Sequence, residues 1–144
     1  MISLKTTIKT LFTTLLTNLG CASILSKNKS MEVYNYKVKH FIKVIDGDTL
    51  DIVVDLGFNV SIDTRLRLLG IDAPETRTKD LAEKQKGLES RDFLCSIIYN
   101  LSGKEEVVLK SKKLDSFGRS LGHLFINNEN LSDIMLKNGH AVSR

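Results

Sequence analysis

Apolar and polar residues alternate along the chain from about Tyr34 onward, in the pattern of a sheet protein. The alternation predicts three successive strands over residues 36–45, 49–56 and 58–69. An Asp-Gly-Asp turn closes the first strand and Gly57 provides the turn after the second. The three strands are therefore expected to form an antiparallel meander.

The second half of the chain changes to a helical period, returns to strand and ends in a helix. A stripe of apolar residues predicts a helix between Leu81 and Tyr99. Strands follow over residues 105–111 and 119–127, and a short helix over residues 130–140 stops at Gly139. This order predicts a mainly β, α+β domain: a closed sheet of five strands with two or three helices, as in the oligonucleotide-binding barrel.

Composition allows one soluble domain, and the distribution of charge gives no overall positive charge to the residues after position 30 that would indicate nucleic-acid binding. The chain has 144 residues, 42% hydrophobic and 26% charged, which suffices for one domain with a core. The formal net charge of +4 resides in residues 1–30, which hold four lysines and no acid, whereas the other residues carry 17 basic and 17 acidic side chains. A nucleic-acid partner must therefore be argued from the local placement of charge. Cys21 and Cys95 are interpreted as unrelated thiols.

Residues 1–30 differ in kind from the rest of the chain. Lys5 and Lys9 precede a short apolar stretch, which is the layout of a signal-like segment. Cys21 directly follows a glycine, and this pair resembles a lipoprotein cleavage site. An amphipathic helix is the alternative, because the apolar residues also fall at helical spacing. We expect this segment and linker to contact a membrane or to direct export. Residues 31–144 would then form the folded domain of a secreted or membrane-attached protein rather than a cytoplasmic one.

Charged residues lie where the strand pattern expects a core. The sequence "LRLLGIDAPET" places Arg67 among leucines and Asp72 and Glu75 directly after them, and Asp48 lies in the upstream turn "VIDGDTL". Charges near a core are costly unless they are paired. Because the strands ending at Asp48 and Asp72 would be neighbours, the two carboxylates can converge on one site. With carbonyl and water oxygens they suit a hard divalent cation, calcium or magnesium, rather than zinc.

Three motifs in this order resemble the staphylococcal nuclease (thermonuclease) family: "IDGDT" at 45–49, "RLLGIDAPE" at 67–75 and "DSFGR" at 115–119. The resemblance extends from about residue 36 to residue 143. It implies a five-stranded oligonucleotide-binding barrel, in agreement with the strand pattern. It also implies a metal-dependent endonuclease that cleaves DNA, RNA or both with little sequence preference and leaves 3′-phosphate products.

The resemblance implies an ion site in the first two motifs. Asp48 and Asp72 would be the carboxylate ligands and the main-chain carbonyl of Ala73 a further one, with calcium as the family's usual ion and magnesium as the alternative. Ala73 stands where the best-known member has threonine, but only a backbone oxygen is needed there. Asp46 is interpreted as a turn-forming or outer group rather than a ligand.

The resemblance also implies the catalytic and substrate-binding residues. Arg67 and Arg119 match the family's two catalytic arginines, whose planar guanidinium groups suit phosphate. Glu75 matches the glutamate that orients or deprotonates the attacking water. Phe117 lies where a tyrosine is common near the bound nucleotide, and it can still stack on a base.

Each of these residues also has a purely structural interpretation. Arg67 could pair with Asp72 or Glu75 and serve the fold alone, and Arg65 on the same strand is expected to be a surface or ion-pairing residue. The joint occurrence of two arginines, two aspartates and a glutamate favours an active site, because a barrel that only folds needs none of them. The alternative function is a non-catalytic barrel that binds single-stranded nucleic acid. In either case we expect a monomer with a nucleic-acid partner.

Overall fold

The computed structural model describes residues 33–144, which form eight strands and two helices. In chain order these elements are β1 (Tyr34–Asp46), β2 (Thr49–Gly57), β3 (Val60–Leu68), β4 (Ile71–Asp72), α1 (Leu81–Tyr99), β5 (Val107–Leu114), β6 (Ser120–Ile126), β7 (Glu129–Asn130), α2 (Leu131–Lys137) and β8 (Val142–Ser143).

Five of these strands close into a barrel. The sheet order is β3-β2-β1-β5-β6, followed by the short β7, and all of these neighbouring strands run antiparallel. Closure comes from β3 and β6, which pair in parallel with Leu66 opposite Ser120 and Arg67 opposite Leu121. We call this parallel pairing the β3–β6 seam. It confirms the predicted five-stranded, oligonucleotide-binding type of barrel.

Alternating side chains fill the barrel, and the two helices cover it. α1 packs against β1, and α2 packs against β6. Leu94 of α1 and Leu131 and Met135 of α2 are fully buried. The other fully buried large side chains come mainly from the barrel strands, and they are Leu50, Ile52, Val54, Leu66, Leu68, Ile71, Leu109 and Leu124. Burial of this apolar surface is the main driving force for the fold.

β1 is irregular, and the irregularity decides which of its side chains face solvent. Its pairing with β2 shifts register between Val38 and His40 and again between Phe41 and Lys43. An extra residue in one strand moves the following side chains to the opposite face. Val38 is therefore buried, whereas Ile42, at the same alternation, is 53% exposed.

Side-chain caps explain where the helices begin. The Asp80 carboxylate accepts hydrogen bonds from the backbone N–H groups of Ala82 at 2.9 Å and Glu83 at 3.4 Å, so α1 begins at Leu81. The Asn130 side chain caps α2 in the same way. The helix predicted over residues 130–140 is shorter than expected, since Asn138 ends it and the backbone of Gly139 adopts a φ of +72°.

The strands and the first helix lie close to their predicted places. The first three strands and the helix from Leu81 to Tyr99 are confirmed. β5 begins two residues later than predicted and continues to Leu114. No helix within residues 33–144 is long and apolar enough to cross a membrane. The predictions for residues 1–30, including Cys21, lie outside the described residues.

Glu105 stabilises the turn between α1 and β5. Its Oε1 atom accepts hydrogen bonds from the Ser102 backbone N–H at 3.0 Å and from the Ser102 hydroxyl at 2.8 Å. These hydrogen bonds, the backbone one first, lower the pKa of Glu105 from 4.5 to about 2. The ionised form is therefore favoured by folding. The contribution of the Glu105 carboxylate to the free energy of unfolding is complete above its pKa in the unfolded chain. This contribution is lost as pH falls through its pKa in the folded protein.

We expect Glu105→Gln to lower the free energy of unfolding at pH 7, because the amide cannot supply the charged acceptor. The difference from the wild type should shrink as pH falls from about 4.5 to about 2. Urea unfolding followed by circular dichroism at several pH values across this window measures the difference. A difference that stays constant down to pH 2 would show that Glu105 is not the group responsible.

Candidate active site

All six predicted catalytic and metal residues line one pocket of about 190 Å³. We call it the acidic pocket. It is lined by Asp46, Asp48, Thr49, Arg67, Asp72, Ala73, Glu75, Glu83 and Arg119. The seventh predicted residue, Phe117, lies outside this pocket in a neighbouring groove that shares Arg119 with it. The structure therefore brings together predicted site residues as far apart in the chain as Asp48 and Arg119.

The β1–β2 turn buries Asp48 at the bottom of the pocket. Gly47 makes this possible, because a Cβ atom there would lie 2.8 Å from the Ser90 Cβ and 2.9 Å from the Ala73 Cβ. The Asp48 carboxylate accepts a hydrogen bond from the Thr49 hydroxyl at 2.8 Å and another from the Ala73 backbone N–H at 2.7 Å. These two donors fix the orientation of the carboxylate.

Arg67 lies between the two aspartates predicted to hold an ion. Its Nη1 atom is 2.5 Å from Asp48 Oδ2 and its Nη2 atom is 2.6 Å from Asp72 Oδ1. The Nη2 contact is a hydrogen bond, whereas Nη1 is buried without a hydrogen bond of acceptable geometry. The guanidinium thus pairs with Asp72 and Asp48 rather than with Glu75.

Asp46 ties the β1–β2 turn to the segment that carries Glu75. Its Oδ1 atom accepts hydrogen bonds from the Thr76 hydroxyl at 2.5 Å and the Thr76 backbone N–H at 3.2 Å. The interpretation of Asp46 as a turn-forming or outer group stays a prediction. Through this contact the turn fixes the residue next to Glu75.

Gly87 of α1 sets how closely the helix approaches Glu75. A Cβ atom at Gly87 would lie 2.5 Å from the Glu75 carbonyl oxygen and 2.9 Å from the Pro74 carbonyl oxygen. Glycine therefore lets the backbone of residues 74–75 lie directly on the helix. The Glu75 side chain itself is exposed and lines the pocket.

A tight turn before β6 presents Arg119 to the pocket. Asp115 Oδ1 accepts hydrogen bonds from the backbone N–H groups of Phe117 at 2.9 Å and Arg119 at 2.8 Å, and Asp115 Oδ2 accepts from Arg119 Nε at 2.6 Å. Burial raises the pKa of Asp115, but the hydrogen bonds from Arg119 and Phe117 outweigh it, so the pKa lies below its ordinary value. Because Asp115 holds Nε, the two terminal nitrogens of Arg119 remain available for a phosphate.

The donors of the pocket fit a hard divalent cation. Five carboxylates and two guanidinium groups line it, so its formal charge is negative. Within residues 33–144 no three His, Cys, Asp or Glu side chains lie close enough together to hold an ion by themselves. An ion would therefore take Asp48 and Asp72 and complete its shell with main-chain and water oxygens, which suits calcium or magnesium.

Asp46, Asp115 and Gly87 act on the site through contacts that the sequence pattern did not indicate. The role of Asp115 could have been predicted, because it lies four residues before Arg119 and a glycine between them favours a turn that brings the two together. The roles of Asp46 and Gly87 could not have been predicted, because their partners, Thr76 and Glu75, are about 30 and 12 residues away in the chain. Arg65, in contrast, pairs with Asp51 at 2.7 Å on the surface, as expected.

Comparison with known proteins decides the family. The family model described as staphylococcal nuclease homologue matches residues 65–144, which is more than half of the chain. The chain belongs to the staphylococcal nuclease family. The match begins within β3 and covers all that follows, and so includes every predicted site residue except Asp48.

Three relatives are similar to the chain, and two of them are named as nucleases. It is 30% identical over 118 residues to the thermonuclease of Staphylococcus hyicus, covering 82% of this chain and 66% of that protein. It is 30% identical over 118 residues to an uncharacterized protein of Bacillus anthracis, covering 81% and 50%. It is 40% identical over 77 residues to a probable staphylococcal-like nuclease of Oryza sativa subsp. japonica, covering 54% and 18%. The chain thus spans half or less of the latter two relatives.

Proposed function

We propose that this protein is an endonuclease that hydrolyses phosphodiester bonds of DNA, RNA or both, with a divalent cation and little sequence preference. The observation that carries the proposal is the acidic pocket, where Arg67, Glu75 and Arg119 lie together with Asp48 and Asp72. The similarity to the Staphylococcus hyicus thermonuclease and to the rice probable nuclease supports the same reaction.

The two arginines would bind the scissile phosphate. Arg119 offers its terminal nitrogens while Asp115 holds its Nε, and Arg67 lines the same pocket from its place between Asp48 and Asp72. Two permanently charged groups on one phosphodiester stabilise the negative charge that grows on its non-bridging oxygens. Arg119 is already oriented by Asp115, so it needs little reorganisation when the phosphate binds. Arg67 would exchange its contacts with Asp48 and Asp72 for the phosphate when these carboxylates take the ion.

Glu75 would handle the attacking water. It is exposed within the pocket and its backbone is held on α1 by the close approach at Gly87. In this mechanism the water oxygen bonds to phosphorus, Glu75 takes a water proton, and the bond from phosphorus to the 5′-oxygen breaks. The 5′-oxygen takes a proton from solvent, so the products end in a 3′-phosphate and a 5′-hydroxyl.

An ion bound by Asp48 and Asp72 would add positive charge beside the non-bridging phosphate oxygens. Calcium is the first candidate and magnesium the second, because all the available donors are oxygens. No described His or Cys cluster offers an alternative ligand set.

We expect the full-length protein to cleave single-stranded DNA or RNA in calcium or magnesium and to stop in chelator. Glu75→Gln should reduce the cleavage rate about 100-fold or more, because it removes the proton acceptor and keeps the shape of the side chain. Gel analysis of labelled oligonucleotides, with the ends of the products identified by mass, measures both effects.

The control is Glu89→Gln, on the exposed surface of α1, which should cleave at the wild-type rate. Binding without cleavage in either ion would contradict the nuclease proposal and favour the non-catalytic barrel. Cleavage that leaves 5′-phosphate ends would contradict the proposed direction of bond breakage.

A further inference from the structure

A second cavity lies at the other end of β2 from the acidic pocket. Thr49 begins β2 and lines the acidic pocket, whereas Leu56, near the end of β2, lines a cavity of about 260 Å³ that we call the barrel mouth. The barrel mouth is lined by Tyr34, Tyr36, Val54, Leu56, Ile62, Thr64, Leu109, Ser111, Lys113, Leu114 and Ser120. At about 3.3 Å per residue, Thr49 and Leu56 are about 23 Å apart, so both cavities can be occupied at once.

Exposed apolar side chains surround the barrel mouth. Phe58 in the β2–β3 turn is fully exposed, and Val60 follows it at the start of β3. Leu56, Ile62 and Leu114 line the mouth and expose more than a third of their surface. We call these five side chains the apolar rim. A group of exposed apolar side chains around a cavity marks a contact with a protein or a membrane.

The backbone of the β2–β3 turn makes Phe58 an unusual choice for its position. Phe58 and Asn59 have φ values of +51° and +61°, and Gly57 pairs with Val60 across the turn. This left-handed backbone suits glycine and asparagine and is costly for a bulky side chain. Phe58 buries nothing in return, because it is fully exposed. The fold alone therefore gives no reason for a phenylalanine here, whereas contact with an apolar partner does.

The charge of the barrel mouth favours an anionic partner. Lys113 is the only charged residue among those that line it. The hydroxyl groups of Thr64 and Ser120 lie 2.7 Å apart and bond to each other, so they are already partnered. An apolar rim beside one lysine fits the surface of a membrane, where apolar side chains enter the acyl region and a lysine reaches the headgroups.

The N-terminal segment joins the barrel at this same end. β1 begins at Tyr34, which lines the barrel mouth, and residues 1–32 precede this part of the chain. Residues 1–30 are the segment for which the sequence predicts a membrane contact, since Lys5 and Lys9 precede an apolar stretch. A membrane bound by that segment would be close in the chain to the barrel mouth. This connection favours a lipid surface over a protein as the partner of the apolar rim.

We propose that the apolar rim and Lys113 form a docking surface for an anionic lipid bilayer. Phe58 would enter the acyl region, and the Lys113 ammonium would stay among the headgroup phosphates. The acidic pocket lies at the other end of β2 and would stay open to substrate. The proposal goes beyond the nuclease function and does not rest on it, because contact with lipid is measured without cleavage.

The first experiment uses an introduced tryptophan as a reporter, since the chain has none. Full-length Phe58→Trp is mixed with vesicles of phosphatidylcholine and phosphatidylglycerol. Its emission should shift to shorter wavelength, and lipids brominated in the acyl chains should quench it. The matched control is Leu81→Trp, because Leu81 is also exposed but lies two residues before Glu83 of the acidic pocket. The emission of the control should not change.

Three results of this experiment would overturn the proposal. The first is an unchanged emission of Phe58→Trp on vesicles. The second is an equal shift of Phe58→Trp and Leu81→Trp, which would mean that the protein lies on lipid in no fixed orientation. The third is a shift of Phe58→Trp that occurs without vesicles and grows with protein concentration, because the rim would then bind a second copy of the chain.

The second experiment separates the apolar rim from residues 1–30 by vesicle sedimentation of the full-length protein. Phe58→Ser should weaken binding about 10-fold or more, because a phenylalanine leaves the acyl region, and Leu81→Ser should bind like the wild type. Lys113→Gln should weaken binding about 5-fold on vesicles with phosphatidylglycerol and should have no effect on phosphatidylcholine alone.

Circular dichroism and cleavage of a soluble oligonucleotide are the controls for Phe58→Ser, and both should match the wild type because the side chain is exposed and outside the acidic pocket. Equal vesicle binding by the wild type and Phe58→Ser would show that residues 1–30 bind without the rim and would overturn the proposal. Weakened vesicle binding by Phe58→Ser would uphold it, whether or not the protein cleaves nucleic acid.

Discussion

Replacing Arg67 with methionine should lower the free energy of unfolding by about 3–5 kcal/mol and abolish measurable cleavage. The Arg67 side chain is 10% exposed and lies 2.5 Å from Asp48, whose side chain is 7% exposed. Without the guanidinium, Asp48 keeps its two hydrogen bonds but is left buried without its counter-charge. Urea unfolding at pH 7 and the oligonucleotide cleavage assay measure the two losses.

The two losses have different causes and can be separated. Arg91→Met is the stability control, since Arg91 pairs with Asp92 at 2.9 Å on the exposed side of α1 and its loss should cost less than about 1 kcal/mol. Arg67→Lys keeps a positive charge near Asp48 but loses the two-pronged contact with both aspartates. It should recover part of the stability and little of the cleavage. Equal stability of the Arg67→Met and Arg91→Met variants would contradict the burial argument.

Replacing Gly87 with alanine should reduce cleavage by about 100-fold, although Gly87 has no side chain to act in catalysis. The added Cβ would lie 2.5 Å from the Glu75 carbonyl oxygen and 2.7 Å from its carbonyl carbon, so α1 and the Glu75 segment must move apart. A displacement of about 1 Å at a catalytic group costs about two orders of magnitude in rate. Overpacking should also cost about 1–3 kcal/mol of stability, against the roughly 1 kcal/mol that alanine normally gains in a helix.

Gly103→Ala is the matched variant for this prediction. Gly103 lies in the turn between α1 and β5 with a φ of +81° and is not among the residues that line the acidic pocket, so alanine there strains the backbone away from Glu75. It should lose about 1–2 kcal/mol of stability and little activity per folded molecule. Cleavage rates at saturating substrate, corrected for the folded fraction, make the comparison. Wild-type activity in folded Gly87→Ala would show that the helix does not position Glu75.

The barrel could be predicted because its strands and turns are indicated by residues that are close together in the sequence. Alternation and turn residues identify β2 and β3 within a few positions, and α1 coincides with its predicted bounds. The side-chain directions in β1 could not be predicted, because they depend on three register shifts in its pairing with β2. Strict alternation through Val38 and Ile42 places both on one face, whereas the structure buries the first and exposes the second.

The candidate site also has a part that could be predicted from the sequence and a part that could not. Asp48, Arg67, Asp72 and Glu75 lie in short motifs that resemble a family, and they line one pocket. The contact of Gly87 with the Glu75 backbone joins a helix to a loop, and neither position carries a chemical group that would draw attention to it. Such supporting contacts are properties of the packing, which residue types and their spacing do not encode.

The β3–β6 seam has a consequence for the newly made chain. Arg67 reaches the pocket from β3 and Arg119 from the turn that leads into β6, so the two guanidinium groups meet only when these strands pair. Translation delivers β3 well before β6, and strands of a growing chain cannot pair with residues that do not yet exist. A nascent chain therefore lacks the assembled pocket until β6 has been synthesised. The proposed cleavage of DNA or RNA could begin only after that point.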